Sequence, residues 1–181
     1  ITPTINYWVI IPAAGLGMRM GGITPKQYLA MADEPILART INTWLSHKKN
    51  FKIIVVLHPE DKHFAKLNLA DERIITTTGG DERCESVASG LHKIADMADE
   101  SDWALVHDAA RPCLTHDDID RLINQIADHD VGGLLAVPVR DCLKEVNDNA
   151  EVVGTTPRNN IWQAQTPQMF RYGLLTGALL H

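Results

Sequence analysis

The sequence lacks any apolar run long enough to cross a bilayer. No signal-peptide pattern opens it. Cysteine is scarce: Cys84, Cys113 and Cys142 stand far apart and form neither a C-x-x-C pair nor a metal-ligand cluster. An odd cysteine count without a secretion signal points to a reducing, cytoplasmic setting. Basic charge is in deficit, with 17 Lys and Arg against 23 Asp and Glu and a formal net charge of −6. That balance argues against a broad nucleic-acid footprint, which would be basic. An anionic small ligand would therefore need a local basic cluster. Arg19, Lys26, Arg83, Arg111, Arg140, Lys144 and Arg158 are the candidates, because each lies in or beside an expected loop. Repeats, low-complexity segments and linkers are also missing, and 181 residues suit a single domain with a real core.

Two familiar phosphate loops are missing as well. A P-loop needs G-x-x-x-x-G-K-[ST] with its Lys opening a helix; here Lys26 follows Pro25 and the Gly–Lys spacing is wrong. A dinucleotide fingerprint needs G-x-G-x-x-G running straight into a helix. Here the third glycine comes one residue late, and Ile23-Thr24-Pro25 prevents a clean helix start. What is present is Ile10-Ile11-Pro12-Ala13-Ala14-Gly15-Leu16-Gly17-Met18-Arg19-Met20-Gly21-Gly22, then Pro25-Lys26-Gln27. Small residues after a short apolar strand let backbone N–H groups approach a ligand, and two cations stand close by. Such a loop suits phosphate oxygens.

Apolar periodicity gives the rest. Strands are expected at Tyr7–Ile11, Phe51–Leu57, Arg73–Thr78, Trp103–His107 and Gly133–Val139. Helices are expected at Pro35–His47, at Arg83 to about Ile94, and after an Asp117 or Asp118 cap, with a short helix near His58–Asp61. The alternation predicts an α/β fold: a three-layer, Rossmann-like, mostly parallel sheet with helices on both faces. Ligands of such sheets bind beyond the carboxyl ends of the strands, where the Gly-rich loop, Gly80-Asp81 and Asp108 all fall. From Arg140 the pattern changes to a protruding hairpin, Cys142–Val146 and Glu151–Thr155 around Asn147-Asp148-Asn149. Ile161–Phe170 then returns to the body, and a last helix follows.

Four segments carry a resemblance: P-A-A-G-L-G-M-R-M-G with P-K-Q-Y-L; G-G-D-E-R-C-E-S-V; V-H-D-A-A-R-P; and P-V-R-D-C-L-K with T-P-Q-M-F. In order and spacing the set resembles the bacterial 2-C-methyl-D-erythritol 4-phosphate cytidylyltransferases of the non-mevalonate isoprenoid pathway, over nearly the whole chain. The resemblance implies that the acceptor's phosphate attacks the α-phosphorus of CTP and pyrophosphate leaves. It implies that Arg19 and Lys26 contact the triphosphate and stabilise the transition state. Gly15 and Gly17 would give the phosphates backbone room, and Ala13 and Ala14 would line the base pocket. Gly80, Asp81 and Ser86 would meet cytosine and ribose, with helix capping as a second role open to Asp81 and Ser86. Asp108 would hold Mg²⁺, and Arg111 would orient its loop or meet the acceptor phosphate. His107 is expected to pack and hydrogen-bond rather than catalyse.

The resemblance further implies a homodimer through an arm at about 140–160. Arg140, Cys142 and Arg158 would there bind the acceptor, with Arg158 acting in the partner's site. Cys142 replaces a family Thr, and a thiol is the weaker hydrogen-bonding group. The resemblance also implies roughly a quarter more chain than the single domain 1–181, on the scale of ordinary domain sizes, carrying a D-E-A segment, a strand and a further Lys. Two other readings stay open on sequence: a ribitol 5-phosphate cytidylyltransferase, which shares the loop, the Lys and the Asp, and a nucleotide-binding module without turnover.

Overall fold

Tyr7–Ala13 forms β1, and every residue of Trp8–Ile11 is fully buried. A strand buried on both faces needs apolar residues at successive positions, which explains the unbroken W-V-I-I run. The structure is a computed structural model that describes residues 5–15 and 24–179. After β1 come a small ladder of β2 (Ala30–Met31) and β3 (Glu34–Pro35), then α1 (Ile36–Leu45), β4 (Lys52–Leu57), β5 (Ile74–Thr78) and α2 (Arg83–Lys93). β6 (Trp103–Val106), α3 (His116–Ile126) and β7 (Gly132–Pro138) follow, then β8 (Leu143–Val146), β9 (Val152–Thr156), β10 (Trp162–Arg171) and α4 (Tyr172–Leu179).

The main sheet has the order β5-β4-β1-β6-β10-β7. β5, β4, β1 and β6 are parallel. β10 is antiparallel to both of its neighbours, β6 and β7. Side chains alternate across the sheet. Val9 and Ile11 join Leu37, Ile41, Trp44, Phe51 and Ile119 on the face covered by α1 and α3. Trp8 and Ile10 join Val87, Leu91 and Ile94 on the face covered by α2.

Beneath this second face, buried Asp102 gathers the start of β1. Its carboxyl accepts from Asn6 N (2.8 Å), Trp8 Nε1 (2.9 Å) and Asp99 N (3.1 Å). Each of these donors would otherwise lie in the protein with reduced access to water.

The α/β class, the parallel order of β1, β4, β5 and β6 and the helices on both faces agree with the sequence expectation. Four details differ. α3 is capped by Thr115, not Asp117 or Asp118: Thr115 Oγ1 accepts from Asp118 N (3.2 Å), and Asp118 Oδ2 accepts from Thr115 Oγ1 (2.6 Å). The reciprocal T-x-x-D box outweighs a lone acidic cap. No helix starts at His58; Asp61 instead accepts from His63 N (3.0 Å) and Phe64 N (2.8 Å), and a 3₁₀ turn follows at Phe64–Leu67. α1 begins after Pro35 rather than at it, because Pro35 is drawn into pairing with β2. The segment after the hairpin is a ten-residue strand wedged inside the sheet, so the sheet is mixed at that edge.

The hairpin forms where expected, with β8 and β9 as a separate two-stranded sheet. Asn147 Oδ1 closes its turn by accepting from Asn149 N and Glu151 N, both at 3.0 Å. Val146, Val152 and Val153 are all more than half exposed.

Candidate active site

Beyond the carboxyl ends of β1 and β6 lies a cleft of about 830 Å³. One wall is the end of β1 and the start of the Gly-rich loop, Pro12 to Gly15, with Lys26 and Gln27. The second is Gly80 to Arg83 with Ser86, and the third is Asp108 to Arg111. Each wall is a turn that a strand feeds, so the sheet fixes their mutual positions.

The second wall depends on close packing. A Cβ on Gly79 would stand 2.5 Å from Ser86 Oγ and 2.8 Å from Ala14 Cβ, so only glycine lets this turn reach the first wall. The capping of α2 is done by Glu82 and Glu85, which form a reciprocal box. Asp81 is therefore free of that duty and stands exposed at the cleft. Ser86 is buried and donates to Gly80 O at 3.4 Å, holding the turn from below.

Asp108 is half-buried between two cations. Its Oδ1 accepts from Arg83 Nε (3.1 Å) and Nη2 (3.0 Å), and its Oδ2 from Arg111 Nε (2.8 Å). Burial pushes this carboxyl up, but the hydrogen bonds from Arg111 and Arg83 outweigh that and hold it below the usual carboxylate range. Arg111 also donates to Gln165 Oε1.

The turn from Asp108 to Arg111 is held underneath by His107, whose residue is 1% exposed. Nε2 lies 3.0 Å from Arg111 O, and a carbonyl only accepts, so Nε2 carries the proton. Nδ1 is then the acceptor for Thr166 Oγ1–H at 2.9 Å, and Thr166 Oγ1 accepts from Asp108 N at 3.3 Å. Neutral imidazole satisfies every group in this chain; a proton on Nδ1 would break it. Burial lowers the His107 pKa to about 4, against the opposing pull of the Arg111 carbonyl.

The folded pKa lies below the unfolded value, so between them the unfolded chain binds more protons and stability rises with pH. The contribution is fully present above about pH 6.5 and lost as pH falls toward 4, on the order of 3 kcal/mol in all. Asp108 adds to the loss at still lower pH. Chemical-denaturation curves from pH 7 to pH 4 should show this slope, and His107→Gln should flatten it.

Comparison with known proteins gives one family. Residues 7–181 match the family described as IspD: 2-C-methyl-D-erythritol 4-phosphate cytidylyltransferase. A 2-C-methyl-D-erythritol 4-phosphate cytidylyltransferase of Hahella chejuensis is 46% identical over 177 residues, covering 96% of this chain and 73% of its own length. The chain belongs to this family.

A family relative from Shewanella piezotolerans is 47% identical over 163 residues, which cover 90% of this chain and 69% of the relative. Among solved structures, a crystal structure of 4-diphosphocytidyl-2C-methyl-D-erythritol synthase aligns with TM-score 0.83 and 34% identity, over 98% of this chain and 80% of that one. The Francisella tularensis enzyme of the family aligns with TM-score 0.82 and 37% identity, over 96% and 76%.

The site residues expected from the family motifs fall into three groups. Ala13, Ala14, Gly15, Lys26, Gly80, Asp81, Ser86, Asp108 and Arg111 all line the one cleft. Arg140, Cys142 and Arg158 are exposed beside or beyond the hairpin and do not line it. Gly17 and Arg19 lie outside the described residues. The sequence offers Arg83 only as one of seven loop cations for an anionic ligand, and gives no site role to Gln27 or Thr166. The burial of Gln27 and Thr166 has no local signature, because their partners lie outside their own segments: Ala13 and Gly15 for Gln27, His107 and Asp108 for Thr166.

Proposed function

We propose that this chain transfers a cytidylyl group from CTP to 2-C-methyl-D-erythritol 4-phosphate, giving 4-diphosphocytidyl-2-C-methyl-D-erythritol and pyrophosphate, a step of non-mevalonate isoprenoid biosynthesis. The observation that carries this reading is the meeting of Gly15, Lys26, Gly80-Asp81 and Asp108 with Arg111 in one cleft beyond the sheet's carboxyl end. In the reaction an oxygen of the acceptor phosphate bonds to the α-phosphorus. The bond from that phosphorus to the β-bridging oxygen breaks, and pyrophosphate leaves with the electron pair. The attacking phosphate is already ionised, so no general base is required. The protein's task is to bring two anions together and stabilise the charge that develops on the α-phosphoryl group.

Lys26, with Arg19, serves that charge. Ala13, Ala14, Gly80, Asp81 and Ser86 hold the nucleoside. Acceptors on this wall would favour cytosine, whose N4 amino group donates where uracil accepts. Asp108 suits Mg²⁺, which takes one or two carboxylates together with phosphate oxygens and water. Its present partners, Arg83 and Arg111, are 49% and 44% exposed at the side chain, free to turn to an incoming triphosphate. The ion would screen the triphosphate and the leaving pyrophosphate.

We further infer a homodimer through the arm at about 140–160, in a cytoplasmic enzyme. Two features support the dimer: the hairpin's exposed valines, and the position of Arg140, Cys142 and Arg158 away from the cleft of their own chain. Among the described residues no helix is long and apolar enough to cross a membrane.

The test is a two-acceptor assay. With CTP and Mg²⁺, pyrophosphate release should require methylerythritol phosphate. Release with ribitol 5-phosphate alone would overturn the acceptor assignment, and release with neither acceptor would leave only a nucleotide-binding module.

A further inference from the structure

Gln27 is 4% exposed and sits directly after the cleft-lining Lys26. Its amide nitrogen spends both hydrogens on backbone carbonyls of the first wall: Nε2 donates to Ala13 O at 2.9 Å and to Gly15 O at 3.1 Å. Ala13 ends β1 and Gly15 opens the Gly-rich loop, whereas Gln27 lies on the far side of that loop, in the 3₁₀ turn Lys26–Tyr28. One side chain thus joins the loop's exit to its entrance. The turn is anchored on its other side too, because Tyr28 OH donates to Asp61 Oδ2 at 2.6 Å. Lys26 directly precedes these two anchored residues, with its own side chain exposed.

We propose that Gln27 is a positioning residue for phosphate binding: its two hydrogen bonds close the base of the Gly-rich loop and set the Lys26 ammonium against the triphosphate. The chemistry requires an amide. A carboxylate at this place would face two carbonyl oxygens with no hydrogen to offer, and an alkyl chain would take this donor from the buried Ala13 carbonyl and the part-buried Gly15 carbonyl. A small displacement of a charged group at a reacting centre is costly in rate, up to on the order of a hundredfold for about 1 Å.

The inference rests on the triphosphate reading of the cleft, so its test carries a readout that does not depend on cytidylyl transfer. Binding of inorganic tripolyphosphate is measured for the wild type, Lys26→Ala, Gln27→Leu and the double variant. Gln27→Met, which keeps length and bulk, is run beside them in case leucine impairs folding. Gln27→Leu should raise the Kd about tenfold. In the Lys26→Ala background it should add less than about twofold, since no ammonium remains to be placed and the two changes are then strongly non-additive.

In turnover, kcat/KM for CTP should fall on the order of tenfold to a hundredfold at temperatures where the variant is fully folded. A merely structural role predicts a lower unfolding temperature with tripolyphosphate affinity unchanged, or equal losses in both backgrounds. Either result overturns the proposal. If the coupling appears while the wild type releases no pyrophosphate from CTP and methylerythritol phosphate, the assigned reaction fails and the role of Gln27 stands.

Discussion

Lys26→Ala should lower kcat by about a thousandfold, the scale of losing one preorganised group that stabilises transition-state charge, with the unfolding midpoint little changed. Lys26 is exposed at the cleft and takes no part in either hydrophobic core cluster, so its removal costs the fold little. Arg83 and Arg111 cannot simply replace it. Both belong to other walls of the cleft than Lys26, and Arg replaces a compact ammonium poorly as a point charge. Single-turnover measurement of pyrophosphate release, alongside a thermal melt, checks both halves of the expectation. A rate within a few fold of the wild type would remove Lys26 from the chemistry.

The largest effect on stability is expected at Asp102→Ala. Truncation leaves the Trp8 indole N–H inside the core without its 2.9 Å acceptor, and strips a partner from the backbone N–H groups of Asn6 and Asp99. An unsatisfied buried donor costs about 1–3 kcal/mol, so a loss of about 3–4 kcal/mol is expected across the three. That is a large share of the roughly 5–15 kcal/mol typical of a domain. Denaturant titration should show the midpoint fall with the slope unchanged. The effect on kcat of the folded fraction should be slight, because Asp102 is not among the residues lining the cleft.

These two residues mark what could be read from the sequence. Lys26 stands in a motif, P-K-Q-Y-L, whose odd spacing after the glycines separates it from a P-loop, so its chemistry was legible. Asp102, between Ser101 and Trp103, has no local mark; its importance comes from Trp8, 94 positions earlier. The same division runs through the fold. β1, β4 and β6 announce themselves as unbroken apolar runs because both sides of the sheet cover them. β10 does not: W-Q-A-Q-T-P-Q-M-F-R is half polar and carries a proline, yet Gln168 and Met169 pair with β6 and β7 at once. Sequence periodicity reports burial, and only three of the ten residues of this strand are buried. The cap of α3 is hidden in the sequence for a related reason. Thr115, Asp117 and Asp118 are all suitable caps, and only the hydrogen-bond geometry selects the threonine.

The placement of β10 also fixes the order in which the molecule is completed. His107 and Thr166 are separated by 59 residues, with α3, β7 and the whole hairpin between them. Bringing such distant positions together requires closing a long loop, the slow part of folding for non-local contacts. The first two cleft walls lie wholly before the hairpin in sequence and can assemble before it exists. The Asp108 wall becomes rigid only when β10 slides in beside β6, so nucleotide-binding competence should be among the last properties the nascent chain acquires.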